Sequence, residues 1–254
     1  MAAAYIFGLL IYMFVFMYGT MVMQGVIEEK SNKVLELMVS SVKPFQLMMG
    51  KILGIASVAL TQLLIWVVFI AVAGGAAINY FAAAMNAGTA GMPAAMGDIG
   101  TDEMAILSRL TDMRYILTTV IGFIVYFIGG YLLYAAMFAA VGSAVDNEKD
   151  TQNLQLPITV PLILAIVVMV SAMQDPNSQI AFWFSMIPFT SPVIMMARLP
   201  YGVPMWELLV SVGLLYLTFV GTVWLAGKIY RVGIFMYGKK PSFRELFKWV
   251  RYKY

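Results

Sequence analysis

Residues 4–27 read AYIFGLLIYMFVFMYGTMVMQGVI, an unbroken run without one charged side chain. As an α-helix it would be roughly 36 Å long, more than the ~30 Å of hydrocarbon in a bilayer. Four more long apolar runs follow, at 47–73, 115–145, 156–173 and 206–227. Lys51 is charged near the start of the second, and the third is long enough to tilt or bend. Lipid offers no partner to an open sheet edge, and the runs are too long for barrel strands, so each reads as a transmembrane helix.

Composition points the same way. Of 254 residues, 62% are hydrophobic and 11% charged, where soluble domains carry about a quarter charged. At a mean hydropathy of +0.86 there is too little polar surface to cover a water-soluble globule. Cysteine and histidine are absent. That excludes disulfides, thiolate metal sites, HExxH zinc sites and histidine-based catalytic triads.

The stretch 179–200 is apolar but holds Pro188 and Pro192, with Pro176, Pro200 and Pro204 around it. Proline removes a donor and clashes with the preceding turn. The segment reads as an outer re-entrant pair of short half-inserted helices, with a kinked sixth span as the alternative. The fold class is therefore an all-α polytopic membrane protein. It has five transmembrane helices, the outer re-entrant segment, a cytoplasmic amphipathic helix over 28–43 and a C-terminal interfacial helix within the tail 228–254, all in one transmembrane domain over 1–254.

Orientation follows from the cations. Of the 16 Lys and Arg, 13 lie in residues 28–46 with Lys51, in the 146–155 loop, and after residue 227. Arg109, Arg114 and Arg198 lie on the other side, and the acids divide almost evenly. Cytoplasmic connections carry the excess of Lys and Arg. The expected location is a bacterial cytoplasmic (inner) membrane, multi-pass, with the N-terminus outside and the C-terminus cytoplasmic. The outer connection 86–112, rich in Gly, Ala and Met and then acidic, offers little to bind a ligand.

Residues 25–51 read GVIEEKSNKVLELMVSSVKPFQLMMGK. Val34, Leu35, Met38, Val39 and Val42 recur at helical spacing, and Glu29, Lys33 and Glu36 take the other face. Glu29 and Lys33 stand in the favourable i, i+4 order, and Pro44 closes the helix before the next span. One reading floats this helix at the lipid headgroups. A mixed-sign face suits a groove on a protein partner better than it suits anionic lipid.

The same stretch, extended to Gly54, closely resembles the permease subunits of type-2 ABC exporters, in the sodium-efflux-permease-like branch. Later segments match in order: VGSAVDNEKDTQNLQLP at 141–157, IPFTSPVIMMARLP at 187–200 and KIYRVGIFMYGKKPSFRELFKWV at 228–250. The resemblance implies that the cytoplasmic helix is a coupling helix seated on a cytoplasmic ABC ATPase subunit, through Glu28, Glu29, Lys30, Ser31, Asn32, Val34, Leu35 and Glu36. It implies a second ATPase contact at Asp146, Glu148 and Lys149. The re-entrant segment would form an outer gate with Phe182, Trp183, Pro188, Phe189, Pro192 and Met195. Two ATPases and a second permease copy, identical or not, would complete the working unit in the lipid bilayer. Members of that family usually begin with an additional span and a large extracellular domain. The resemblance therefore implies that the chain is a fragment, or that the rest lies on another polypeptide.

No nucleotide site is expected in this chain. The nearest approach to GxxxxGK[ST] is Gly221 to Lys228, which has one residue too many and is followed by Ile229. ATP and Mg would reside in the partner subunit, with no metal, cofactor or nucleic acid bound here and no enzymatic reaction of the chain's own. The tail carries Ser242 with Glu245 as a capping box, an apolar face of Phe243, Leu246, Phe247 and Val250, and the cations Arg244, Lys248 and Arg251. It reads as a basic helix on the inner leaflet, with Trp249 and Tyr252 at the interface; a further ATPase contact is the alternative.

Few polar groups lie inside the spans, and Gln24, Thr61, Gln62 and Tyr126 are the candidate substrate path. No acid or base lies near a span centre, which weakens an ion-coupled carrier. The function expected is the permease of an ATP-driven exporter of an unidentified substrate. A path lined by Met and aromatics would suit apolar or amphipathic molecules. An ATP-independent channel or carrier, and a non-transporting scaffold, are the alternatives.

Overall fold

The five runs form five long helices in the computed structural model, which describes residues 2–33, 41–86, 113–236 and 243–250. These helices are α1 (Ala2–Ser31), α2 (Pro44–Asn86), α3 (Met113–Ala144), α4 (Gln152–Gln174) and, after two short ones, α7 (Met205–Gly233). The short pair is α5 (Gln179–Met186) and α6 (Ser191–Arg198); α8 (Phe243–Val250) follows α7. Single 3-10 turns, Glu148–Thr151 and Leu199–Tyr201, lead into α4 and out of α6. No strand occurs among the described residues. The protein is an all-α polytopic membrane protein, with stretches long and apolar enough to cross at Tyr5–Ser31, Pro44–Phe69, Leu117–Ala144, Lys149–Gln174 and Met205–Gly233.

The chain divides into two compact units, Met1–Ala56 with Thr119–Tyr254, and Ser57–Thr118. In the second, α2 carries Leu64, Ile65, Trp66, Val67, Val68 and Phe69 exposed in succession. A helix apolar all round its circumference is at home in lipid, not water. Thr61 donates its hydroxyl to the Ser57 carbonyl at 2.7 Å, which satisfies a polar group within its own helix.

In the first unit α1 and α3 run parallel along a shared seam. Phe7 meets Phe123, Phe14 meets Phe127, and Phe16 meets Phe138, in rising order on both helices. Small residues let the backbones close up. A Cβ on Gly142 would lie 2.7 Å from the Met23 carbonyl oxygen, and one on Gly19 would collide with the Phe138 ring. Helix α7 runs in the same direction: Tyr216 donates to the Val125 carbonyl at 3.1 Å, Leu215 lies over Gly129, and Gly233 packs on Ser143. Thus α1, α3 and α7 all finish at one end of the unit, where α2 and α4 begin.

The chain between α4 and α7 both leaves and returns at the opposite end. It enters with α5, turns at 187–190 and comes back as α6. Tyr134, roughly 15 Å along α3 from that helix's own C-terminus, donates to the Phe189 carbonyl at 2.6 Å. The tip therefore reaches deep between the helices. The prolines explain the turn. Pro188 has no N–H for the Phe184 carbonyl, and the Thr190 hydroxyl donates to it instead at 2.5 Å. Every residue of α6 is buried. Backbone freed from helical bonding at this depth is tolerable because Thr190 and Tyr134 supply the donors its carbonyls lack.

Candidate functional site

At the end where α1, α3 and α7 finish, two consecutive residues of α1 make ion pairs to two different elements. The Lys30 ammonium is fully buried, 3.0 Å from the Asp146 carboxylate just after α3, and donates to the Ser143 carbonyl at 2.8 Å. The preceding Glu29 pairs with Lys51 of α2 at 2.7 Å. Gly25 is what lets the Lys51 side chain pass: a Cβ there would sit 3.2 Å from its ammonium. A lysine buried in an apolar bundle keeps its charge only if a carboxylate and an acceptor are waiting. Asp146 and Ser143 are those groups.

These pairs change the expected boundary of the first span. The sequence pattern ends it at 27 and starts a separate helix at 28, whereas α1 continues unbroken through Ser31. Glu28 and Ser31 are exposed on its last turn. Asn32 and Lys33 form the turn beyond, and Lys33 closes the helix with a φ of 57°, the left-handed conformation common at helix ends. Val34, Leu35 and Glu36 lie outside the described residues. On the second expected contact, Asp146 faces inward to Lys30, Lys149 is exposed, and Glu148 opens the 3-10 turn. The structure thus brings the ends of both expected contact segments together.

The expected gate residues spread along the hairpin. Phe182 and Trp183 stand edge-on at 5.4 Å, and Phe182 also meets Trp206 at the start of α7. Trp183 and Trp206 are exposed, as aromatics at a membrane interface are. Pro188 and Phe189 form the tip, while Pro192 and Met195 are buried in α6. The candidate path residues differ in setting. Gln24 is exposed on α1 and Tyr126 is buried in α3; by their positions on parallel helices they differ in depth by roughly 18 Å. Thr61 and Gln62 are exposed on α2 in the other unit.

Sequence reasoning missed a buried polar cluster at the hairpin's entry. Arg198, ending α6, pairs with Glu207 of the first turn of α7 at 3.0 Å. It also donates to the Pro176 carbonyl at 2.8 Å and the Ser185 hydroxyl at 2.6 Å. Ser211 donates to the Ser185 carbonyl at 2.7 Å. A cation at a helix C-terminus and an anion at a helix N-terminus are each favoured by the helix dipole. The available signal was a lone Arg and a lone Glu on either side of a Pro- and Gly-bearing turn. Among the described residues, no three acids are grouped to hold a metal ion. The expected near-miss of a phosphate loop lies inside α7, where the Lys228 ammonium rests 3.9 Å over the Trp224 ring.

An apolar cavity of about 320 Å³ opens among α3, α4, α7 and α8, lined by residues such as Met137, Val141, Pro157, Ile158, Leu225 and Ala226. Phe189 of the hairpin tip and Leu246 of α8 also border it. Its lining suits a hydrocarbon group and offers almost nothing to an ion.

Five apolar spans, a re-entering hairpin and a charged end among the described residues define a polytopic helical membrane protein. The chain belongs to the family described as ABC-2 family transporter protein, which its residues 1–228 match. An uncharacterized protein of Bacillus subtilis, YhaP, is 30% identical over 243 residues, covering 95% of this chain and 53% of that protein. An uncharacterized protein of Methanocaldococcus jannaschii, MJ1024, is 27% identical over 243 residues, covering 95% of this chain and 52% of the other. The chain spans about half the length of these curated relatives. No solved structure matches it.

Proposed function

We propose that this chain supplies the membrane path of an ATP-driven exporter, with hydrolysis of ATP and Mg binding confined to a separate cytoplasmic subunit. That subunit docks on residues 28–43 and the 146–155 loop. In this reading the end is cytoplasmic, and two copies of each subunit form the working transporter in a bacterial inner membrane. The observation that carries it is the Lys30–Asp146 pair, which joins both contact segments at one end of the helices. Glu28 and Lys149 are exposed there, available to a partner of mixed charge. The hairpin of α5 and α6 caps the other end as the gate. The apolar cavity supports a cargo with a hydrocarbon portion.

The test is purification of the chain from native membranes in mild detergent. A nucleotide-hydrolysing subunit is expected to accompany it, and its ATPase rate in liposomes is expected to rise when the chain is present. Glu28→Arg with Lys149→Glu should weaken that association. A preparation free of any ATPase that still dissipates a solute gradient would instead favour an unpowered carrier.

A further inference from the structure

Lys30 does not face outward toward a partner. It is fully buried, 3.0 Å from Asp146 and 2.8 Å from the Ser143 carbonyl, and its neighbour Glu29 holds Lys51 at 2.7 Å. Asp146 and Ser143 lie within a few residues of the 3-10 turn Glu148–Thr151 that leads into α4. Ser143 is also the residue on which Gly233, the last of α7, is packed: a Cβ on Gly233 would meet its carbonyl oxygen at 2.8 Å. The final turn of α1 is thus tied by charge to the start of α2 and to the end of α3, and through Ser143 it meets the end of α7. Four of the long helices are gathered at one polar knot.

We infer that Glu29 and Lys30 form a transmission clamp: Lys30–Asp146 and Glu29–Lys51 lock the two ATPase-facing segments into one rigid body, so that a push on either moves α1, α2 and α3 together. Lys30 is a positioning residue and makes no partner contact itself. This rests on the proposed docking end. The physical reason is cost: separating the two charges would leave an unpaired ion where no water replaces its partner, so the pair stays closed while its surroundings move. Without it, a push on residues 32–43 would be spent in bending the last turn of α1.

The native chain has no cysteine, so two introduced ones report alone. Spin labels at Met21→Cys and Leu156→Cys, exposed positions of α1 and α4 outside both docking segments, read the distance between the two sides of the clamp. The expected wild-type result is one narrow distance distribution, unchanged between the nucleotide-free complex and the complex trapped with ATP and vanadate. Lys30→Met is expected to broaden it and to lower the chain's stimulation of its ATPase roughly tenfold, while the ATPase still co-purifies. The exchanged pair Lys30→Asp with Asp146→Lys should recover a narrow distribution and part of the stimulation. Should Lys30→Met fail to fold, the exchanged pair and Lys30→Arg carry the same comparison. A wild-type distance that shifts by about 5 Å, one helical pitch, on trapping would overturn the inference, as would full stimulation with Lys30→Met. If the chain neither binds nor stimulates an ATPase, the proposed function fails. The label distances in the chain alone then still decide whether Lys30 holds the two segments.

Discussion

Arg198 and Glu207 are charges in an apolar protein, and each is there because of the other. Neither has water to solvate it: they are 3% and 7% exposed. The Ser185 hydroxyl and the Pro176 carbonyl complete the bonding of Arg198. Removing one partner leaves an uncompensated ion, whereas removing both leaves only a packing defect. Arg198→Leu and Glu207→Gln are each expected to lower stability by about 3–5 kcal/mol. The double substitution Arg198→Leu with Glu207→Leu should cost clearly less than either alone. Tryptophan-fluorescence denaturation in lipid nanodiscs checks the order of the three variants. Lys30 and Asp146 obey the same logic at the other end of the helices. The apolar pattern registers the charges but not their pairing, because partners 116 positions apart in the chain leave no local periodicity.

At the scale of the element, the α5–α6 hairpin is a turn made by prolines and repaired by hydroxyls. Pro188 frees the Phe184 carbonyl and Thr190 takes it; Tyr134 takes the Phe189 carbonyl from the neighbouring helix. Thr190→Val keeps the shape of the side chain and deletes the donor. It should destabilise the hairpin by about 1–3 kcal/mol, the cost of a buried carbonyl left unmade. Faster proteolysis at residues 187–190 in reconstituted protein is the measurement. The prolines were visible in the sequence and the re-entry with them. The rescuing hydroxyls were not, since Tyr134 belongs to a different span. Helix α8 shows the same division. Its amphipathic spacing is plain, yet Trp249, which its sequence places at the membrane interface, is covered by protein together with Leu246. Leu246→Ala with Trp249→Ala should release α8 from α7, with hydrogen exchange over residues 243–250 rising at least tenfold; an unchanged rate would mean that the contact contributes nothing.

For the whole molecule, direction is set by the helices that share an end. Parallel α1, α3 and α7 place Lys30, Asp146 and Gly233 together, and the hairpin entry with Trp183 and Trp206 far from them. The distribution of Lys and Arg predicts that the Lys30 end is cytoplasmic. Lys149→Cys and Trp183→Cys, introduced singly into the cysteine-free chain, give the test. A membrane-impermeant maleimide added to intact cells should label the cysteine at 183 and reach that at 149 only after the cells are opened. Labelling in the reverse order would exclude docking of a cytoplasmic ATPase at residues 28–43. The number of spans, their helical nature, the hairpin and the family were all legible in the sequence. They depend on runs of apolar residues and on proline positions, both local properties. The positions of Gln24, Thr61, Gln62 and Tyr126 were legible only as polar residues in apolar runs, and the fold sets Gln24 and Tyr126 at different depths.

By itself the chain's sequence determined that it is a polytopic helical membrane protein with a mixed-charge segment between its first two spans. Desolvation compels that outcome, because a run of apolar side chains long enough to cross a bilayer has one favourable environment and one backbone conformation that satisfies its own polar groups. Only the tertiary structure decided which charges are paired inside and which are left exposed. Glu29, Lys30 and Asp146 were expected as outward contacts. The fold turns Lys30 and Asp146 upon each other and Glu29 upon Lys51, because burying a charge is tolerable only where packing from distant parts of the chain delivers its counter-ion.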